Sequence, residues 1–206
     1  MVDRDQGFTI SELLIAILIM GIVAAFAIPQ AYSALKAYRL HADAASIAGQ
    51  LNVTRFRATS QFAPYRLNLI STTTPSTFTM ERLNGNATSN NDSNCSSSTN
   101  SAYFPYSTAS IEGGTQYLSS EDTFTTTNPG GSSNYPGTVT GGTPPTKVYF
   151  NTRGMPVNCD GTPIANGGVV VYVKNRDNLT DAVVVSVGGR IAQYQWSSTQ
   201  NKWISR

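Results

Sequence analysis

One carboxylate, Glu12, stands at the head of an apolar run: from Leu13 to Ile28 no side chain is polar. A carboxylate in hydrocarbon costs a few kcal/mol unless it is paired, protonated or held at the headgroup level. Two readings follow. Either Glu12 snorkels to the interface from the end of a helix, or it meets a cation at matching depth in another molecule. A cut between Gly7 and Phe8 supplies that cation. It frees an amine at Phe8, four residues before Glu12 and at the same end of the same helix. One copy's Phe8 amine then pairs with another copy's Glu12. On the second reading the chemistry at these residues is a cut in the chain, followed by ion pairing between copies.

Other reactive groups are sparse. The sequence contains no P-loop, HExxH, GxSxG or zinc-spaced Cys/His set. No Ser or Cys sits in a recognisable nucleophile setting. The expectation is a protein that is not an enzyme and needs no cofactor or metal. His41, the single histidine, reads as an isolated surface imidazole. The run Asn90-Asn91-Asp92-Ser93-Asn94 lacks the ligand order of an EF-hand loop. The formal charge is +2 over 206 residues, which makes no general case for nucleic acid or an anionic surface.

The elements that must position Glu12 come next. Phe8–Pro29 has the length and apolarity of a bilayer-spanning helix, about 20 residues. It is not a secretory signal peptide. Its flank lacks a strong positive cluster, because Asp3 and Asp5 surround Arg4, the apolar run is long, and no small-x-small cleavage site ends it. Gly21 and Pro29 are the weak points of this helix. Beyond it, residues 30–62 keep a helical period but become amphipathic. Lys36, Arg39, Asp43, Ser46, Gln50, Thr54 and Arg57 form a polar face, and Leu40, Ala44, Ile47, Ala48 and Leu51 an apolar one. After Pro64 the period changes to that of strands, at Tyr65–Ile70 and Thr77–Leu83. Asn84–Ser101 and Ser119–Thr146 read as polar loops, with Tyr103–Tyr106 between them as a short strand or an anchor. Lys147–Asn151, Gly168–Lys174, Ala182–Val187 and Arg190–Trp196 read as strands, the last two joined by a Gly188-Gly189 hairpin turn. The predicted architecture is α+β. A long N-terminal helix, membrane-spanning in its first half and amphipathic in its second, packs on an antiparallel β-sheet head at residues 63–206.

Gly7-Phe8-Thr9-Ile10-Ser11-Glu12-Leu13-Leu14 resembles the processing site of type IV prepilins and type II secretion pseudopilins. The resemblance implies a leader at residues 1–7, removed by a prepilin peptidase that also methylates Phe8. It implies assembly with other pilins through Phe8 and Glu12, and a helix able to unwind between Gly21 and Pro29 in filaments. It also implies a single-pass protein of the bacterial inner membrane, served by an assembly platform there, with its head in the periplasm. Phe150-Asn151-Thr152-Arg153-Gly154, Val183–Val187 and Gly189-Arg190-Ile191 resemble the GspH/FimT subgroup of pseudopilins and minor pilins. In a periplasmic head Cys95 and Cys159 are expected to pair. The closed loop is long enough for about 4 kcal/mol of entropic stabilisation, and two free thiols are the alternative. Some members of the subgroup bind DNA through a GRxR-type motif. Here Ala192 replaces its second arginine, which leaves Arg153, Arg190, Lys202 and Arg206 as a patch if the fold gathers them. Trp196 and Trp203 read first as strand-face packing and second as base-stacking groups. The resulting expectation is a minor pilin or pseudopilin. A DNA receptor for uptake and a tip adhesin are the rivals.

Overall fold

The computed structural model describes residues 9–70, 77–83, 103–110, 123–125, 147–164, 168–175, 177 and 179–206. The chain divides into two compact units, Met1–Tyr38 and Arg39–Arg206. Helix α1 runs over Ile10–Ser60, with Pro29 inside it. The first unit holds its N-terminal part. The second holds the remainder of α1 and ten strands among the described residues: β1 Tyr65–Ile70, β2 Thr77–Leu83, β3 Tyr103–Ser110, β4 Thr123–Thr125, β5 Lys147–Phe150, β6 Pro156–Val157, β7 Val169–Lys174, β8 Thr180–Val185, β9 Ile191–Ser197 and β10 Lys202–Ser205.

The strands form two five-stranded sheets, in the orders β3-β2-β1-β5-β6 and β10-β9-β8-β7-β4. Every named pairing is antiparallel. The sequence pattern anticipates one antiparallel head. The division into two sheets, the strand β10 and the short strand β4 inside the expected loop at 119–146 are what the structure adds. The other expected loop, at 84–101, lies outside the described residues.

One core joins the helix to both sheets. Leu40, Ala44, Ile47, Ala48, Leu51 and Ala58 of α1 meet Tyr65, Leu67, Leu69, Phe78, Met80, Val148 and Phe150 of the first sheet. They also meet Val169, Val171, Val173, Val183 and Val185 of the second. The apolar stripe expected on the helix is therefore the stripe it buries. Burying a large aliphatic side chain of this kind contributes about 2 kcal/mol. Two members of the expected polar face do not face solvent: Asp43 and Thr54 are buried. The Thr54 hydroxyl donates to the Gln50 carbonyl at 2.6 Å, so it is satisfied within its own helix and fits an apolar environment.

Strands β7 and β8 of the second sheet are buried on both faces. Val170, Tyr172, Ala182 and Trp203 form a second cluster, with Tyr194 and Trp196 packed against it. This explains why β7 and β8 read as continuous apolar runs rather than alternating ones. Trp203 packs on Trp196 with ring centroids 5.3 Å apart and on Tyr172 at 5.7 Å. Burial pushes the Tyr172 phenol up to about 12. On the first sheet, Arg66 and Glu81 sit opposite each other in register, both buried and paired at 2.5 Å.

Candidate functional site

The start of α1 is built by its own first residues. The Thr9 N–H donates to Glu12 Oε2 at 3.1 Å and the Thr9 hydroxyl to the same oxygen at 3.0 Å. The Glu12 N–H donates back to Thr9 Oγ1 at 3.3 Å. This is a capping box, in which residue and carboxylate three positions apart satisfy each other's orphan groups. The negative side chain also lies in the first turn, where the helix dipole favours it. Sequence reasoning on Glu12 alone missed Thr9. The signal was the threonine-x-x-glutamate spacing of Thr9-Ile10-Ser11-Glu12. Gly7 and Phe8, the expected cleavage site, lie outside the described residues.

On both sides of Glu12 the helix presents apolar side chains without cover. Ile10 is 82% exposed. Leu13, Leu14, Ile15, Ile17, Leu18, Ile19, Met20, Ile22, Val23, Phe26 and Ile28 are exposed as well. The helix is long and apolar enough to cross a membrane, and none of its most apolar stretch is buried. α1 runs without a break through Gly21 and Pro29.

Residues 3–28 match the prokaryotic N-terminal methylation motif. The match supports a type IV pilin-like protein processed by a prepilin peptidase. The motif and the uncovered apolar helix fit a single-pass, membrane-anchored pilin-like chain that assembles with other pilins. Searches of curated proteins and of solved structures returned no match.

The second unit separates the four basic residues expected to gather. Arg153 lies in the turn between β5 and β6, where the Asn151 side chain accepts from the Arg153 and Met155 amides at 2.9 and 3.0 Å. Arg190 ends the turn between β8 and β9, closed by Ser186 N–H to the Arg190 carbonyl at 2.8 Å. These two turns touch. A β-carbon on Gly189 would stand 2.8 Å from the Gly154 carbonyl oxygen, and Arg55 of α1 donates to that same oxygen at 3.2 Å. The turns that carry Arg153 and Arg190 thus meet beside Arg55.

Arg206 is elsewhere and is held. It donates to Gln195 Oε1 through Nε at 3.1 Å and Nη2 at 2.5 Å, and its Nη2 lies 3.0 Å from His41 Nε2. Along α1, His41 and Arg55 are separated by about 21 Å. Lys202 is exposed on β10. The fold does not make a single patch of the four.

His41 is not the isolated surface imidazole that its solitude in the sequence implies. Its Nδ1 pairs with Asp181 Oδ2 at 2.5 Å, with the aspartate nearly covered. The geometry fits a tautomer that donates from Nδ1 to Asp181 and accepts at Nε2 from Arg206. Burial pushes the Asp181 carboxyl up, opposed by the His41 hydrogen bond and by the charge of Arg206. No local sequence pattern links residues so far apart along the chain. Cys159 packs against the cluster of Leu83 and Tyr149, and Cys95 lies outside the described residues.

Proposed function

We propose that this chain is a minor pilin or pseudopilin: a structural subunit, not an enzyme, built into a type IV pilus or a type II secretion pseudopilus. The leader at residues 1–7 is removed, and the span waits in the inner membrane with the head in the periplasm. During assembly, Glu12 of one subunit pairs with the new Phe8 amine of another. The observation that carries this reading is the placement of Glu12. It is an acid in the first turn of an uncovered apolar helix, inside a matched methylation motif.

The orientation rests on that motif rather than on charge. Arg4 is offset by Asp3 and Asp5, while Lys36 and Arg39 follow the span. The minor-subunit assignment rests on the C-terminal sequence resemblance to GspH/FimT proteins. A periplasmic head also favours a Cys95–Cys159 disulfide. Among the described residues no cysteine is free.

Mass spectrometry of the purified cellular protein tests the processing step. The expected N-terminus is a methylated Phe8, and a mature form that still begins at Met1 would overturn the reading. Deletion of the gene separates the two machines, since a pilus subunit costs the cell its pili and a pseudopilin costs it secretion.

One observation bears on DNA uptake as a second reading: the turns that carry Arg153 and Arg190 meet at Arg55. Three guanidinium groups offer few phosphate contacts, and affinity for DNA rises steeply with their number. The structural-subunit reading is preferred for that reason.

A further inference from the structure

Two arginines of the second unit stand at the same pair of tyrosines. Arg82 on β2 is directly opposite Tyr65 on β1, so the two side chains leave the sheet on one face, about 5 Å apart at their β-carbons. Arg57, in the last turn of α1, places its Cζ 4.1 Å from the centroid of the Tyr106 ring on β3. That ring meets the Tyr65 ring edge-on at 6.3 Å. Burial pushes the Tyr65 phenol up, and the charges of Arg82 and Arg57 pull against it, so both cations act on one hydroxyl. The hydroxyl itself is committed to Gln61 Oε1, to which it donates at 2.6 Å. The neighbouring acid Glu81 points to the other face of the sheet, where it pairs with Arg66. Arg82 is exposed, and Tyr106 is half exposed. A guanidinium over a ring still donates through its edge. Two such cations beside an uncovered tyrosine fit a carboxylate brought by another molecule.

The far edge of the same sheet carries such a carboxylate. Val157 of β6 bridges back to Pro163, which puts Asp160 at the tip of a hairpin. Thr162 donates to Asp160 Oδ1 through its hydroxyl at 2.6 Å and its N–H at 2.9 Å, and these bonds hold the carboxyl below its ordinary range. Asp160 is exposed, and a carboxylate can accept an arginine fork. Of the other described carboxylates beyond the first turn of α1, Asp43, Glu81 and Asp181 are buried, and Asp177 has a contact within its own chain. β3 and β6 are opposite edges of the first sheet. β2 is three strand spacings from β6, about 14 Å, so Arg82 and Asp160 of one copy do not meet.

We propose that Arg57 and Arg82, beside Tyr106, receive Asp160 of a second copy, joining second units edge to edge along the first sheet. The contact is heterologous: each copy keeps one partner surface open, so the contact repeats instead of closing on a pair. This rests on the reading of the chain as a filament subunit, and adds to it a contact beyond the Glu12–Phe8 pairing. An exposed ion pair adds little affinity; its effect is to set which edge meets which.

Zero-length cross-linking of sheared filaments tests the contact. Arg82→Lys keeps the cation as an amine, and a carbodiimide joins amines to carboxylates in direct contact. The chain is made partly in ordinary and partly in heavy-nitrogen medium, so a linked peptide of mixed labelling comes from two copies. The expected product joins position 82 of one copy to Asp160 of another and is lost when Asp160→Asn is added. Arg57→Gln is expected to lower its yield, and an unchanged yield removes Arg57 from the site. A link from position 82 to any other acid, of this chain or of a different subunit, would overturn the pairing. Filaments that contain the chain and give no link would overturn the contact alone. Immunoblotting of the same filaments reads whether the chain is present, and its absence would sink the subunit reading and the contact together. Charge exchange gives a functional readout: Arg82→Asp and Asp160→Arg each lose incorporation, and the two combined regain most of it. No recovery in the combined variant contradicts the pairing.

Discussion

Gly154 and Gly189 come from turns of different sheets and close on the same helix residue. A β-carbon on Gly189 would lie 2.8 Å from the Gly154 carbonyl oxygen and 3.0 Å from Arg55 Nε. Both glycines have positive φ, 72° and 80°. Gly189→Ala therefore meets a steric clash with backbone and an unfavourable backbone conformation at once. It is expected to lower stability by about 2–3 kcal/mol. Gly188→Ala, one residue away, meets nothing nearer than 3.9 Å and is expected to be tolerated. Urea unfolding of the full-length chain in detergent distinguishes them, and equal midpoints for the two variants would count against the clasp.

In this structure Glu12 completes the cap with Thr9 as a hydrogen-bond acceptor. The proposed assembly adds a second use, its charge pairing with a neighbouring subunit, and substitutions separate the two. Glu12→Gln keeps a capping-box side chain and removes the charge. Thr9→Val keeps the charge and removes the cap hydroxyl, at a cost of about 1 kcal/mol to the helix start. The expected outcome is that Glu12→Gln enters filaments as poorly as Glu12→Ala, while Thr9→Val enters nearly normally. Subunit content of sheared filaments, by immunoblot, reads this directly. Normal incorporation of Glu12→Gln would mean that the cap, not the charge, is what assembly needs.

These two cases mark what sequence could and could not supply. Period and residue type were enough for the long helix, its apolar stripe at Leu40, Ala44, Ile47 and Leu51, and strands β1 and β2, because local spacing decides them. The hairpin at Gly188-Gly189 was legible for the same reason. The two-sheet division was not, since β7 and β8 show no alternation when both faces are buried. Nor were the polar contacts. His41 and Asp181, and Arg55 and Gly154, are brought together only by the fold. Asp43 was misplaced on the solvent side because a charged residue at helical spacing ordinarily faces water.

The pH dependence of the head should carry the signature of Asp181. Burial raises its carboxyl above the usual range, and its partners His41 and Arg206 oppose the shift only in part. Below about pH 4 both folded and unfolded chains hold this proton. Between that value and the raised folded pKa only the folded chain holds it, so stability falls as pH rises across the window. Asp181→Asn removes that slope and retains an acceptor for His41 Nδ1. The stability of the parent minus that of the variant is expected to decline with pH above about 4 and then to level off. Denaturation midpoints across a pH series measure it, and a difference that rises with pH would contradict the assignment.

The Arg66–Glu81 pair provides the sharpest test of how the first sheet is held. Arg66 is only 2% exposed. Its guanidinium pairs with Glu81 at 2.5 Å and lies over the Tyr149 ring at 5.8 Å. Asn68 donates to the other carboxylate oxygen of Glu81 at 3.1 Å. Removing one partner strands a buried charge, so Glu81→Leu alone is expected to cost about 3–5 kcal/mol. Replacing both, Arg66→Met with Glu81→Leu, removes the charges together and fills similar volume. It is expected to restore most of that loss, because the desolvation of two ions offsets much of their attraction. A double-mutant cycle on urea midpoints gives the coupling between them. If the double variant is no more stable than Glu81→Leu, the ion pair contributes more than its desolvation costs and the first sheet depends on it outright.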